Sequence, residues 1–237
     1  MQNKINLDTH NELITVSEPW HRGSGFTWML LALAGAVFFL SGAVAKAQTT
    51  YSWRSEAPTG NWHYWNSWWN GSGEVAPQGN DIIVFNNNNQ PSSENTLSST
   101  SRYRVFFDGG ATSGRTIGGS TENTFFDYGG NAPKIENNST GAHIINFPIK
   151  LGTGMEVNPI SGNLTLGGSI NLQSHFLSVH GNNEKVLRIN GAVSGTGGIN
   201  IEGNSILEVA GDNSFSGNTT INAGKIKMIS GAISAPP

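Results

Sequence analysis

Short apolar–polar–apolar triplets run along the chain from about residue 100 onward, bounded mostly by Gly, Asn or Ser. Tyr103-Arg104-Val105-Phe106-Phe107, Leu164-Thr165-Leu166, Ile170-Asn171-Leu172 and Leu177-Ser178-Val179 open the series. Leu187-Arg188-Ile189, Ile199-Asn200-Ile201, Leu207-Glu208-Val209 and Lys225-Ile226-Lys227-Met228 continue it. Such triplets place two side chains on one face of a strand and one on the other. No stretch of this region combines a helical period with helix caps.

The triplets recur. Leu164, Leu187, Leu207 and Ile226 are separated by 23, 20 and 19 positions. A repeat near 20 residues built from short strands and turns predicts a solenoid, each coil stacked on the next in parallel around a continuous apolar core. The fold class expected is therefore all-β: a right-handed parallel β-helix of the pectin-lyase-like kind. A β-sandwich is the main rival, but it calls for hairpin turns and longer strands.

Composition agrees with an all-β chain rich in tight turns. Gly accounts for 31 of the 237 residues, and charged residues for 12 %, against about 25 % in an average soluble domain. The net charge is −3. No basic stripe exists, so nucleic acid is not an expected partner. Cysteine is absent, which excludes disulfides and thiolate metal sites.

Ahead of the repeats lies an apolar run, Trp28-Met29-Leu30-Leu31-Ala32-Leu33-Ala34-Gly35-Ala36-Val37-Phe38-Phe39-Leu40, followed by Ala45-Lys46-Ala47. An apolar core before a small-x-small site is the layout of a secretory signal. Residues 1–47 are expected to be a signal peptide, with Gln48 the new N-terminus. The alternative is an uncleaved anchor, since 26–44 approaches the roughly 20 residues that span a bilayer. Either way the remainder is expected outside the cytoplasm.

Residues 48–100 read as a Trp-rich N-terminal cap and an Asn-rich loop. Five of the seven tryptophans lie between Trp53 and Trp69. An aromatic cluster buries much area in few residues, as a plug for the open end of a solenoid requires. The functional alternative is a carbohydrate-stacking platform made of Trp62, Trp65, Trp68 and Trp69. Asn86-Asn87-Asn88-Asn89 reads as an exposed loop.

Residues 101–237 form the repeat region, clearest over 191–228. There Gly191-Ala192-Val193-Ser194-Gly195-Thr196-Gly197-Gly198-Ile199 leads to Leu207-Glu208-Val209-Ala210-Gly211-Asp212-Asn213-Ser214-Phe215-Ser216-Gly217, then Asn218-Thr219-Thr220-Ile221-Asn222-Ala223-Gly224-Lys225-Ile226. This order of residues resembles the autotransporter-associated β-strand repeat, also called the passenger-associated transport repeat. Glu202-Gly203-Asn204 departs from the family pattern at a turn, and 86–160 match nothing in it. The resemblance implies a parallel β-helix stalk on a secreted or surface protein, an adhesin-like passenger held to the outer membrane by a C-terminal region beyond this chain. Partners on that reading are carbohydrate or a host or neighbouring cell surface. Leu207, Val209, Phe215, Ile221 and Ile226 are expected to face the core, Gly211, Gly217 and Gly224 to form corners, and Asn213 and Asn222 to bond main chain inside turns.

Catalytic chemistry finds little support. The acids Asp81, Asp108, Asp127 and Asp212 and the nine Glu after residue 47 are scattered, whereas a glycosidase needs two carboxylates about 5–10 Å apart. Asp108 and Asp127 are 19 positions apart, roughly one coil. On that spacing they stack on one face, as a repeated Phe-Phe-Asp-(x)-Gly-Gly turn in preference to an acid pair or Ca²⁺ site. His175 and His180, in a strand, would point to opposite faces. No catalytic residue, metal site or cofactor is expected. The expected function is an exported structural or adhesive β-helix, with a polysaccharide-binding module or polysaccharide-degrading enzyme as the alternative.

Overall fold

The computed structural model describes residues 48–53, 68–74, 76–78, 81–88, 92–95, 101–102 and 104–229. The chain divides into two compact units, Met1–Ala47 and Gln48–Pro237, and every described residue belongs to the second. The signal-peptide expectation therefore lies outside the described residues. Among the described residues no helix is long and apolar enough to cross a membrane.

The described residues form 19 strands, numbered in chain order, and no helix. They wind as a three-faced solenoid of about six turns, consistent with the right-handed parallel β-helix that the repeat spacing predicts. The first face stacks β1 (Thr50–Trp53), β3 (Ile82–Phe85), β6 (Arg104–Phe107), β9 (Lys134–Asn137), β12 (Met155–Pro159), β15 (Leu177–Ile189), β17 (Ile199–Val209) and β18 (Thr219–Ile221). The second stacks β4 (Ser92–Glu94), β7 (Thr116–Gly118), β10 (His143–Ile145) and β13 (Leu164–Leu166) onto the second halves of β15 and β17, then β19 (Lys225–Met228). The third stacks β5 (Ser101–Arg102), β8 (Asn123–Phe125), β11 (Ile149–Leu151), β14 (Ile170–Asn171) and β16 (Val193–Ser194). All these pairings are parallel. β15 and β17 turn the corner between the first two faces without a break, with a register shift between Gly181 and Lys185.

The hydrophobic spacing is the register. Leu164 pairs with Leu187, Leu187 with Leu207, and Leu207 with Ile226. On the first face Ile83, Val105, Ile135, Val157, Val179 and Ile201 form one inward column, all fully buried. Each such side chain contributes about 1.5–3 kcal/mol by leaving water. β-branched residues suit this environment, because their restricted χ1 matches a pleated surface.

Glycine makes the corners. A Cβ on Gly191 would lie 1.9 Å from the carbonyl oxygen of Gly168, and one on Gly211 2.3 Å from that of Gly191. Successive coils thus approach backbone to backbone along a glycine column. Gly217 is held in the same way against Gly197, and Gly224 adopts φ +81°, a conformation that costs other residues steric strain. Asn213 Nδ2 donates to the carbonyl of Gly211 at 2.5 Å, whereas Asn222 joins Ile201 through its main chain.

The two ends differ. At the N-terminal end β2 (Trp68–Trp69) runs antiparallel on the outer edge of β1. Trp53 and Trp68 meet edge to face at 4.8 Å, and Trp53, Phe85, Phe107 and His143 form a continuous aromatic stack inside the coils. Asn87 Nδ2 donates to the Trp53 carbonyl at 2.6 Å, and Asn88 Nδ2 to Thr112 Oγ1 at 3.0 Å, so the Asn loop ties neighbouring coils together. At the other end β18 and β19 pair only with β17 among the described residues. There Leu207 and Val209 are buried and Phe215 and Ile226 half-buried, but Ile221 is 48 % exposed, because no described coil lies beyond it.

Candidate functional site

The outer row of the first face carries the densest chemistry. Strand alternation turns Arg104 and Phe106, Lys134 and Glu136, Glu156 and Asn158, and His180 and Glu202 away from the core. Register places Arg104, Lys134 and Glu156 in one line and Phe106, Glu136 and Asn158 beside it. Lys134 Nζ lies 2.7 Å from Glu156, an Arg104 guanidinium nitrogen 3.0 Å from Glu136, and His180 Nε2 3.4 Å from Glu202. Arg104 also sits over the Phe106 ring at 5.1 Å.

This arrangement favours the ionised form of Glu156. Partial burial pushes the Glu156 carboxyl up, but the hydrogen bond and charge of Lys134, helped by Asn158 and His180, outweigh it and leave the pKa below the usual value. A general acid working near neutrality needs the opposite shift. The second face repeats the pattern: Glu208 lies 2.9 Å from Lys227 and 3.8 Å from Arg188 on adjacent coils. Lys225 and Glu184 pair at 2.7 Å. The outer surface is thus laced by opposite charges from coil to coil, which favours one stacking register.

Inside the coils lies a polar network the sequence did not signal. His143 is fully buried and stacks on Phe107 at 4.0 Å. Its Nδ1 accepts the Arg115 main-chain N–H at 3.1 Å, so in the neutral ring the proton resides on Nε2. Nε2–H then donates to Ser139 Oγ at 2.7 Å, and Ser139 Oγ–H to Asn137 Oδ1 at 2.9 Å. Asn137 Nδ2 donates in turn to the carbonyls of Gly141 and Asn163. Burial, then the Arg115 charge, lowers the His143 pKa to about 4, against a weaker hydrogen bond to Ala111. A Ser–His contact of this kind resembles a nucleophile and its base, but the proton stands on the wrong nitrogen to accept one from Ser139. The network ties coils together.

Two arginines are buried nearby. Arg102 donates to Asn95 Oδ1 at 2.9 Å, and Asn95 Nδ2 donates to Asn123 Oδ1. Arg115 stands over the Phe85 ring at 4.7 Å and donates to the Asn87 carbonyl. Burial lowers both guanidinium pKa values to about 10. Nothing in the residue pattern reveals them, because an inward arginine and an outward one look alike in a triplet.

Asp108 and Asp127 do not stack on one face as their spacing suggested. Asp108 follows β6 on the first face and Asp127 follows β8 on the third face of the same coil. The reason is length. From Arg104 to its partner Lys134 the coil takes 30 residues, where the next takes 22 from Lys134 to Glu156. The surplus goes partly into a tight turn with an antiparallel Tyr128–Asn131 bridge and positive φ at Gly129 and Gly130. Asp108 Oδ1 accepts the Gly109 N–H at 2.8 Å, a turn contact. His175 lies in the turn before β15, not in a strand with His180. Among the described residues no group of three or more His, Asp or Glu is placed to hold a metal.

Of the tryptophans expected as a sugar platform, Trp62 and Trp65 lie outside the described residues. Trp69 is placed by its main chain, paired with Ser52. Trp68 is fully buried against Trp53 and Phe85, so its ring faces meet protein. Comparison with known proteins matches no family model, no curated protein and no solved structure.

Proposed function

We propose that this chain is an exported structural protein, a β-helix stalk of the autotransporter-passenger kind that projects an adhesive surface from the cell. One observation carries the reading: Leu187, Leu207 and Ile226, which stand in the repeat-like segment or one coil before it, are register partners on successive coils. A repeat that sets its own register extends by adding coils, which is what a stalk requires. The run of apolar residues ending at Leu40, followed by Ala45-Lys46-Ala47, supports export. The outer acids, held by cationic partners, suit a stable surface better than acid–base catalysis.

The test is expression of the whole chain in a Gram-negative host. Mass analysis of the exported protein is expected to find Gln48 at the N-terminus. Limited proteolysis is expected to find the exported protein resistant. A chain retained in the cytoplasm with residues 1–47 intact, or an exported chain that protease degrades promptly, overturns the reading.

A further inference from the structure

Five asparagines stand in the pattern Asn-x-Ser/Thr, which marks an N-glycosylation acceptor in an exported chain: Asn70, Asn137, Asn138, Asn163 and Asn218. The fold treats them differently. Asn70 Oδ1 accepts the N–H groups of Ser72 and Gly73, both at 2.9 Å, and holds its own turn closed. Asn137 is fully buried, its amide bonded to the Gly141 and Asn163 carbonyls. Asn163 leads straight into β13, where Leu164 is fully buried and Thr165 is paired on both sides, with Ile144 and Arg188. Asn218 leads into β18, which pairs with β17 through Thr219 and Thr220. An acceptor segment must leave the sheet to enter an enzyme. The last two can do so only by breaking ladder hydrogen bonds.

Asn138 differs on each count. It follows β9 at the corner joining the first face to the second, and Asn138 and Thr140 are both exposed and outside any strand. The main chain is anchored, with Asn138 N–H bonding the Phe107 carbonyl at 2.9 Å. The side chain makes one long contact, Oδ1 accepting from Ser161 Oγ at 3.4 Å. Asn138 Nδ2 and the Thr140 hydroxyl make no hydrogen bond among the described residues. The stacked corners are built of small residues. A Cβ on Gly141 would touch the carbonyls of Ala111, Thr112 and Ser113, and one on Gly162 those of Ser139 and Gly141. A bulky group on Asn138 therefore has room.

Charge singles out the same residue. Glu136 stands two positions before Asn138, where Asn70, Asn137, Asn163 and Asn218 have Trp68, Ile135, Ser161 and Ser216. Bacterial oligosaccharyltransferases select an acid at that place, which meets a cation of the enzyme. Glu136 faces outward and is held by Arg104 at 3.0 Å, a bond that the enzyme's cation exchanges.

We propose that Asn138 is an N-glycosylation site, the acceptor for a bacterial oligosaccharyltransferase whose co-substrate is an oligosaccharide carried on a lipid diphosphate. Asn138 Nδ2 attacks the first sugar at C1. The C–N bond forms as the bond from C1 to the diphosphate oxygen breaks, the lipid diphosphate leaves, and a carboxylate of the enzyme takes the amide proton. The inference rests on the export reading, because this transfer takes place outside the cytoplasm.

The purified whole chain is incubated with such an enzyme and its lipid-linked oligosaccharide, and peptide mass spectrometry reads each asparagine. A glycan is expected at Asn138 and at none of the other four. N138Q, T140A and E136A are expected to abolish transfer, and T140S and E136D to retain it. Melting of each variant is measured alongside. T140A removes an unpaired, exposed hydroxyl and is expected to melt with wild type, so its loss of transfer reports recognition and not unfolding. An empty Asn138 in the folded wild-type chain overturns the assignment. Transfer that survives T140A or E136A, or that prefers Asn218, overturns it as well. Because the enzyme is supplied to purified protein, the result does not depend on whether the cell exports the chain, which the N-terminus at Gln48 reads separately.

Discussion

His143 accepts the main-chain N–H of Arg115 through Nδ1, 3.1 Å away and wholly inside the coils. That bond requires a neutral imidazole. Protonation would turn an acceptor into a donor facing a donor, beside a buried guanidinium. With a folded pKa of about 4 against about 6.5 when unfolded, the unfolded chain takes up a proton between those values that the folded chain refuses. Stability from this group is full above pH 6.5 and is lost as pH falls toward 4, by about 3 kcal/mol in all. Melting of the wild-type protein is expected to drop over that window. His143→Gln, which keeps an acceptor but does not titrate, is expected to be less stable at pH 7 and to show a shallower drop. Parallel pH profiles would show that His143 is not the group responsible.

The interior network and the outer ion pairs should differ sharply in worth. Asn137 is fully buried and its amide bonds Gly141, Asn163 and Ser139. Asn137→Ala strands several of these groups without water, at a cost of about 3 kcal/mol. Glu156→Gln removes the negative charge from the 2.7 Å contact with Lys134, but both side chains are partly solvated, and the expected loss is under about 1 kcal/mol. Urea unfolding of the two variants checks the ordering, and equal losses would contradict it.

The glycine column makes a similar contrast available. Gly191→Ala places a methyl group 1.9 Å from a backbone oxygen that cannot move independently of its coil. The coils must separate locally, and a loss of at least about 3 kcal/mol is expected. Gly109→Ala meets nothing within 4 Å and is expected to fall within about 0.5 kcal/mol of wild type. Limited proteolysis should cut the first variant near residues 168–211 and spare the second.

How much of this was legible depended on what kept time along the chain. Leu164, Leu187, Leu207 and Ile226 share a period and a polarity, and their spacing alone yields the coil and its register. The spacing of Asp108 and Asp127 misleads because their coil takes 30 residues from Arg104 to Lys134, so a step of 19 stops short of a full turn. His143, Asn137 and Arg115 were illegible for another reason. Parity within a strand says which residues share a face, but a polar residue on the inward face differs from an outward one only through its partners, which come from other coils.

The solenoid also sets how damage should spread. Leu187 is packed between Leu164 and Leu207 and is fully buried, so Leu187→Ala removes methyl groups from a site that two stacked coils hold open. A cost of about 3 kcal/mol is expected. Ile221 occupies the same kind of inward position one face away, yet is 48 % exposed, and Ile221→Ala should cost less than about 1 kcal/mol. Because coils couple only to their neighbours, hydrogen exchange in Leu187→Ala is expected to quicken first over 164–209 while the stack from Trp53 to Phe107 stays protected. Uniform loss of protection from Trp53 to Met228 would mean that the coils unfold as one unit, and that nearest-neighbour stacking does not govern this chain.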